Sequence, residues 1–271
     1  MAEEYKKCLI FGASGFLGSN IAIKMQQLGY KVFGTCHTNS KNKDLIPIDV
    51  LDTEKVIKLC ETINPDVIIW TILNVDLGED IANKTISKLT KEMPQTRLVF
   101  LSTSVALVPN MDEKVVPLLR TEEMYNYHYF NGKIRAEEYI RKNSLNYVIV
   151  RPGSIYGINI NGEYDERAYN LKRHIENKQE YVRAKNIIFS IVEVNELTDA
   201  VIEVAESDYI GIINISEENP ISHYDFNVAL CKKYGWNESY VIGNIEKENI
   251  YYLNNDLRKT ILKTKIGYLQ K

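Results

Sequence analysis

Cys8-Leu-Ile-Phe-Gly-Ala-Ser-Gly-Phe-Leu-Gly18 decides how this chain is read. Cys8 to Phe11 form a continuous apolar run, the pattern of a strand buried on both faces. Gly12, Gly15 and Gly18 then repeat every third residue. Gly12 lets the chain turn sharply off the strand, Gly15 lets backbone amides approach a pyrophosphate, and Gly18 lets the next helix pack closely. That helix follows as an amphipathic run (Ile21, Ala22, Met25, Leu28) ending at Gly29. Its first N–H groups have no partners within the helix, and its dipole favours an anion there. An ordinary strand–turn–helix connection explains single glycines. The apolar run before them and the helix after them point to a dinucleotide site at Gly12, Ser14, Gly15, Phe16, Leu17 and Gly18.

Composition narrows the function classes. The chain has 271 residues, 45% hydrophobic and 25% charged, an ordinary balance for a globular protein. Its net charge of −3 gives no global attraction to nucleic acid or an anionic membrane. No apolar run approaches the ~20 residues of a membrane helix. The acidic start Met1-Ala-Glu-Glu-Tyr-Lys-Lys7 does not resemble a signal peptide, so cytoplasmic is the expected location. Cys8, Cys36, Cys60 and Cys231 show no paired spacing, which argues against a disulfide framework and a zinc site; no metal is expected.

Outward from the glycine stretch, strands and helices alternate. Strands are expected at 31–35, 45–50, 66–73, 97–102 and 146–151. Helices are expected at 53–64, 81–92 and 124–143. This order demands a parallel, doubly wound α/β sheet of Rossmann type, with ligands at the carboxyl ends of its strands. Beyond Gly157 the pattern loosens. A polar helix is expected at 163–178, a strand at 187–194, a helix at 196–206 capped by Asn195, and a strand at 210–215. Ser222-His-Tyr-Asp225 reads as a capping box opening a helix to Tyr234. Residues 1–156 form the expected dinucleotide-binding domain. Residues 157–271 form a smaller substrate-binding lobe, with some strands rejoining the main sheet.

Two features carry candidate chemistry. Tyr129-Phe-Asn-Gly-Lys133 puts a phenol and an ammonium one helical turn apart. A nearby ammonium lowers a phenol's pKa, making Tyr129 a candidate acid/base, and Lys133 can also hold ribose hydroxyls. Ser102-Thr103-Ser104 ends the fifth strand, where a hydroxyl can polarise a substrate carbonyl. The residues do not decide between Thr103 and Ser104.

These motifs resemble the extended short-chain dehydrogenase/reductases that modify nucleotide-sugars. The carrying residues are Gly12-Ala-Ser-Gly-Phe-Leu-Gly18, Pro65-Asp-Val-Ile-Ile69, Ser102-Thr-Ser104, Tyr129-Phe-Asn-Gly-Lys133 and Arg151-Pro-Gly-Ser-Ile-Tyr-Gly157. Within that family the chain looks most like the dTDP-4-dehydrorhamnose reductase branch. Its hints are Asn74-Val-Asp76, Gly211-Ile-Ile-Asn-Ile-Ser216 and Ser222-His-Tyr-Asp-Phe226. The resemblance implies a catalytic Ser104 (or Thr103), Tyr129 and Lys133, with the nicotinamide near Pro152 and Ser154. It further implies cofactor contacts from Cys36, His37, Asp49, Val50, Thr71, Ile72 and Leu73.

Cys36 and His37 stand where an NAD-preferring site usually carries an acid, and Lys41 and Lys43 are close in sequence, so NADP is the favoured cofactor and NAD the alternative. Trp70-Thr-Ile-Leu73 is bulkier than the family's usual strand end. Ser104 replaces the carboxylate that a dehydratase needs. The expected activity is therefore reduction of a 4-keto nucleotide-sugar. The alternatives are an epimerase with tightly held NAD and a non-catalytic subunit on the same fold. Arg167, Arg173 and Arg183 are candidates for the substrate diphosphate, together with Ser104 at the sugar. A homodimer is the expected assembly if the chain associates.

Overall fold

The computed structural model describes residues 5–37, 43–106 and 108–269. The chain runs β1 (Lys7–Phe11), α1 (Phe16–Gln27), β2 (Lys31–Cys36), β3 (Ile46–Pro47), α2 (Thr53–Ile63) and β4 (Val67–Trp70). It continues through α3 (Gly78–Asp80), a π-helical segment (Ile81–Ile86), α4 (Ser87–Glu92), β5 (Arg97–Leu101), α5 (Tyr127–Asn143) and β6 (Tyr147–Pro152). Seven strands form one sheet in the order Gly211–Ile215, β6, β5, β4, β1, β2, β3. The pairings from β6 to β3 are parallel, with Leu101 opposite Val150, Phe11 opposite Trp70 and Ile10 opposite Gly34. The order reverses between β1 and β4. Such a reversal opens a crevice at the strand ends, where dinucleotides bind in sheets of this type.

Burial explains why the strands read as apolar runs. All four residues of β4 and all five of β5 are buried. Trp70 packs against Phe11 with ring centroids 4.7 Å apart. Val56, Ile57 and Cys60 of α2, Ile81 and Ile86, and Ala136 and Ile140 of α5 complete that core. Each fully buried large apolar side chain contributes about 1.5–3 kcal/mol.

The chain divides into two compact units. One comprises Met1–Val105, Val116–Arg151 and Val201–Ile213; the other comprises Ala106–Val115, Pro152–Ala200 and Asn214–Lys271. The chain passes between them at Arg151–Pro152 and returns to the first at Val201. The second unit has its own core, built around Phe189, Ile191, Phe226 and Leu230.

Several element bounds differ from the sequence reading, each for a local reason. The third strand shrinks from 45–50 to Ile46–Pro47, because Pro47 has no N–H to donate. The helix expected at 81–92 starts earlier, at Gly78, and contains a π segment in which the Ser87 N–H reaches back to the Ala82 carbonyl. The helix expected from 124 begins at Tyr127. Two turns, Met124 N–H to Thr121 O and Tyr127 N–H to Met124 O, precede it, and Asn126 is left-handed (φ 52°). The strand expected at 187–194 is two strands. Ile187–Phe189 pairs with Ile221–Ser222 and Asn249–Tyr251, while Ile191–Glu193 pairs with Ser154–Tyr156. The helix expected at 196–206 starts at Val194, and the carboxylate of Glu193, not Asn195, takes its first amides (Asn195 N–H 2.6 Å, Glu196 N–H 3.1 Å). The cap at Ser222 forms as read: its hydroxyl accepts from the Asp225 N–H at 2.9 Å. No described helix is long and apolar enough to cross a membrane.

Candidate active site

The glycine turn has the geometry a dinucleotide needs. Gly12 has φ 89°, a left-handed conformation that L side chains rarely adopt. A Cβ on Gly18 would lie 2.1 Å from the Gly12 carbonyl oxygen, so α1 approaches the turn more closely than alanine permits. Gly15 differs: its φ is −83°, and a Cβ there would meet only the Gly12 oxygen, at 3.2 Å. The chain itself therefore does not demand a glycine at 15. Gly15 is also the N-cap of α1, where no side chain caps the helix and no acidic residue occupies the first turn. The opening amides of α1 are thus left to an anion. This cradle fits the pyrophosphate of a dinucleotide.

The end of β4 lies against that turn through Thr71 and Ile72. Trp70 is buried in the core against Phe11. The Thr71 hydroxyl donates to the Phe11 carbonyl at 2.8 Å and locks the turn to the strand end. Ile72 packs partly on the core, and Leu73 is exposed. Across the turn, the Gly12 N–H donates to the Thr35 hydroxyl of β2 at 3.2 Å. Cys36 is buried at the end of β2 and His37 is exposed just beyond it. Lys43 is exposed, and Lys41 lies outside the described residues. Asp49 is exposed and caps its own turn, accepting from the Leu51 N–H at 2.9 Å. The Val50 side chain belongs to the buried core.

The hydroxyl, phenol and ammonium meet at the end of β5. Thr103, not Ser104, hydrogen-bonds the Tyr129 phenol. Burial pushes that phenol above its ordinary value and the Thr103 bond draws it back. The expectation that Lys133 lowers the Tyr129 pKa is therefore overturned. The Lys133 ammonium is drawn to the Leu101 carbonyl (2.6 Å) and the Ile72 carbonyl (3.0 Å), and it sits 5.8 Å from the centre of the Tyr129 ring. Burial pushes Lys133 itself down to about 7, against the raising influence of Glu137. Two of the three ammonium donors are committed to carbonyls, which leaves one for a ribose hydroxyl. Tyr129 and Lys133 also line a small apolar pocket with Trp70, Ile72, Phe100 and Ile81. Gly132, between them, packs against Gly78 so closely that a Cβ would fall 2.2 Å from the Gly78 carbonyl carbon.

The remaining candidates lie in the second unit. Pro152 ends β6, and Ser154 opens the strand Ser154–Tyr156. Arg167 donates to the Ile155 carbonyl at 2.6 Å. Arg183 stacks on Tyr181, 3.5 Å from the ring centre. Both guanidinium groups bear on His223, a residue the sequence reading missed. Burial, with the charges of Arg183 and Arg167, holds that imidazole down at about 4. Arg173 is not part of this group: it is exposed on the helix Glu166–Glu176 beside Tyr169. His223 carries no sequence signal beyond its place one residue after the Ser222 cap.

Fold and site together define a Rossmann-type enzyme that uses a nicotinamide dinucleotide. Residues 8–215 match the model of the NAD dependent epimerase/dehydratase family, and the chain belongs to that family. Solved structures share the fold at low identity. The dTDP-4-dehydrorhamnose reductase of Bacillus anthracis, in complex with NADP, is 16% identical with a TM-score of 0.78, over 98% of this chain and 96% of that one. The dTDP-glucose 4,6-dehydratase of the same organism, in complex with NAD, is 16% identical with a TM-score of 0.79, over 98% and 94%. The UDP-glucose 4-epimerase of Thermotoga maritima, with UDP-glucose, is 15% identical with a TM-score of 0.78, over 97% and 96%.

Proposed function

We propose that this chain is an NADPH-dependent reductase of a 4-keto nucleotide-sugar, of the dTDP-4-dehydrorhamnose reductase kind. One observation carries the reading: the Tyr129 phenol is bonded to Thr103 at the ligand end of β5, one helical turn from the Lys133 ammonium. A reduction needs a proton donor at the carbonyl oxygen, and a neutral phenol is one. NADPH, when bound, supplies the hydride to the carbonyl carbon. Thr103 polarises the carbonyl, Tyr129 gives its proton to the oxygen, and Lys133 holds a ribose hydroxyl with its remaining donor. Ser104 and Val105 offer no carboxylate next to Thr103, which speaks against dehydration.

The cofactor choice rests on the end of β2. Cys36 and His37 bring no carboxylate to repel a 2′-phosphate, where an NAD site usually carries one. For the nucleotide diphosphate, the support is the paired influence of Arg167 and Arg183 on His223 in the second unit.

The test is turnover of a panel of keto nucleotide-sugars, with NADPH and NADH followed by their absorbance. Consumption of NADPH with one 4-keto substrate is the expected result. Protein that purifies with tightly held, non-exchanging NAD and interconverts sugar epimers would replace this reading with the epimerase one.

A further inference from the structure

Glu137 lies one helical turn after Lys133 on α5, and both are buried, 2% and 8% exposed. Its carboxylate is held on two sides. Arg151 grips it through Nε to Oε1 at 3.0 Å and Nη2 to Oε2 at 2.6 Å. The Ser102 hydroxyl donates to Oε1 at 2.5 Å. Ser102 is the residue between Leu101, whose carbonyl takes the Lys133 ammonium, and Thr103, whose hydroxyl takes the Tyr129 phenol. A clamp on Ser102 therefore fixes both contacts at once.

A purely structural ion pair explains this arrangement poorly. Buried pairs are often no better than apolar residues of equal volume. Arg97, another buried cation, has a plainly structural role, donating to the Val204 and Tyr209 carbonyls to close a helix end. Around Lys133, the acids of the neighbouring helix are already engaged, Glu79 by His128 and Arg135, and Asp80 by Lys84. The strand ends facing Lys133 offer it carbonyls and the Phe100 ring, and Tyr129 lies on its own helix. Glu137 is engaged by Arg151 and Ser102, and it lies one helical turn from the ammonium on the same helix.

We propose that Glu137 is a positioning residue of the active site, holding the end of β5 through Ser102 and serving as the counter-charge to the Lys133 ammonium. This rests on Lys133 being a working group. It is tested by the charge of Lys133 in the cofactor-free protein, so its failure is separable from failure of the reductase reading. The lysine side-chain nitrogens are followed by NMR across pH, with Lys133 assigned by loss of its signal in Lys133→Arg.

In Glu137→Gln the Lys133 midpoint falls by roughly one pH unit, the effect of losing a nearby opposite charge. In the assayed enzyme the alkaline fall of kcat/KM moves to lower pH by the same amount. Should Glu137→Gln not fold, Glu137→Gln/Arg151→Met removes both charges and leaves none buried and unpaired; loss of the Arg151 cation offsets part of the effect, so the midpoint falls by less than in the single variant but still falls. A folded variant whose Lys133 midpoint stays at the wild-type value, with only thermal stability lowered, overturns the proposal.

Discussion

The Lys133 ammonium donates to the Leu101 carbonyl at 2.6 Å, which ties α5 to the last residue of β5. One residue beyond Ser102, Thr103 meets Tyr129 of the same helix. A strand end and a helix face are thereby held in register by two polar contacts. Tyr129→Phe removes the proton donor and is expected to lower kcat by at least about a hundredfold, with cofactor affinity kept within a few-fold. Thr103→Val is expected to act in the same direction, and Ser104→Ala much less. Steady-state kinetics beside a fluorescence titration of NADPH read the two effects separately. Near-wild-type turnover in Tyr129→Phe would refute the catalytic assignment.

Gly15 and Gly18 should separate stability from binding. Gly18→Ala drives a Cβ to within 2.1 Å of the Gly12 oxygen and 2.9 Å of the Thr71 hydroxyl, so the turn must distort. Both the Tm and cofactor affinity fall. Gly15→Ala finds only a 3.2 Å contact at an allowed φ, so its Tm stays near the wild type while cofactor affinity drops at least about tenfold. Equal Tm losses in the two variants would contradict this.

His37 is exposed immediately after β2. His37→Asp introduces the carboxylate that an NAD site uses on the ribose and that repels a 2′-phosphate. The ratio of kcat/KM for NADPH over NADH is expected to fall by about tenfold, or 1.4 kcal/mol. A ratio that stays fixed would show that this position does not read the ribose.

His223 gives the second unit a pH dependence with a definite sign. Its imidazole is held at about 4 against an ordinary 6.5, so the unfolded chain binds the proton more tightly than the folded one. Its contribution to stability is full above pH 6.5 and is lost as pH falls toward about 4. Urea denaturation of the wild type and of His223→Gln across that window should differ in slope, the variant being flatter. Parallel curves would mean that His223 titrates normally in the folded protein.

The β–α alternation was legible because parallel strands buried on both faces must be apolar throughout, as the wholly buried β4 and β5 are. Gly12 was legible because its turn needs φ 89°. Tyr129 and Lys133 were legible because a spacing of four puts them on one helix face. That the Val50 side chain faces the core was not legible, since it depends on how the connection after β3 lies against the helices. The pairing of Arg167 and Arg183 at His223, and the isolation of Arg173, were not legible because the three residues lie on separate elements or separate faces.

The sequence by itself determined the sheet, the glycine turn after β1 and the spacing that puts Tyr129 and Lys133 on one helix face. Those features follow from local rules of φ, periodicity and burial along one segment. Only the tertiary structure decided that Thr103 rather than Ser104 meets the phenol, that burial pushes the Tyr129 phenol up, and that Lys133 reaches two carbonyls beside a buried carboxylate. Protonation and hydrogen bonding are set by the dielectric and the charges around a group. Those surroundings come from β4, β5, β6 and α5 at once, and they exist only after these segments pack.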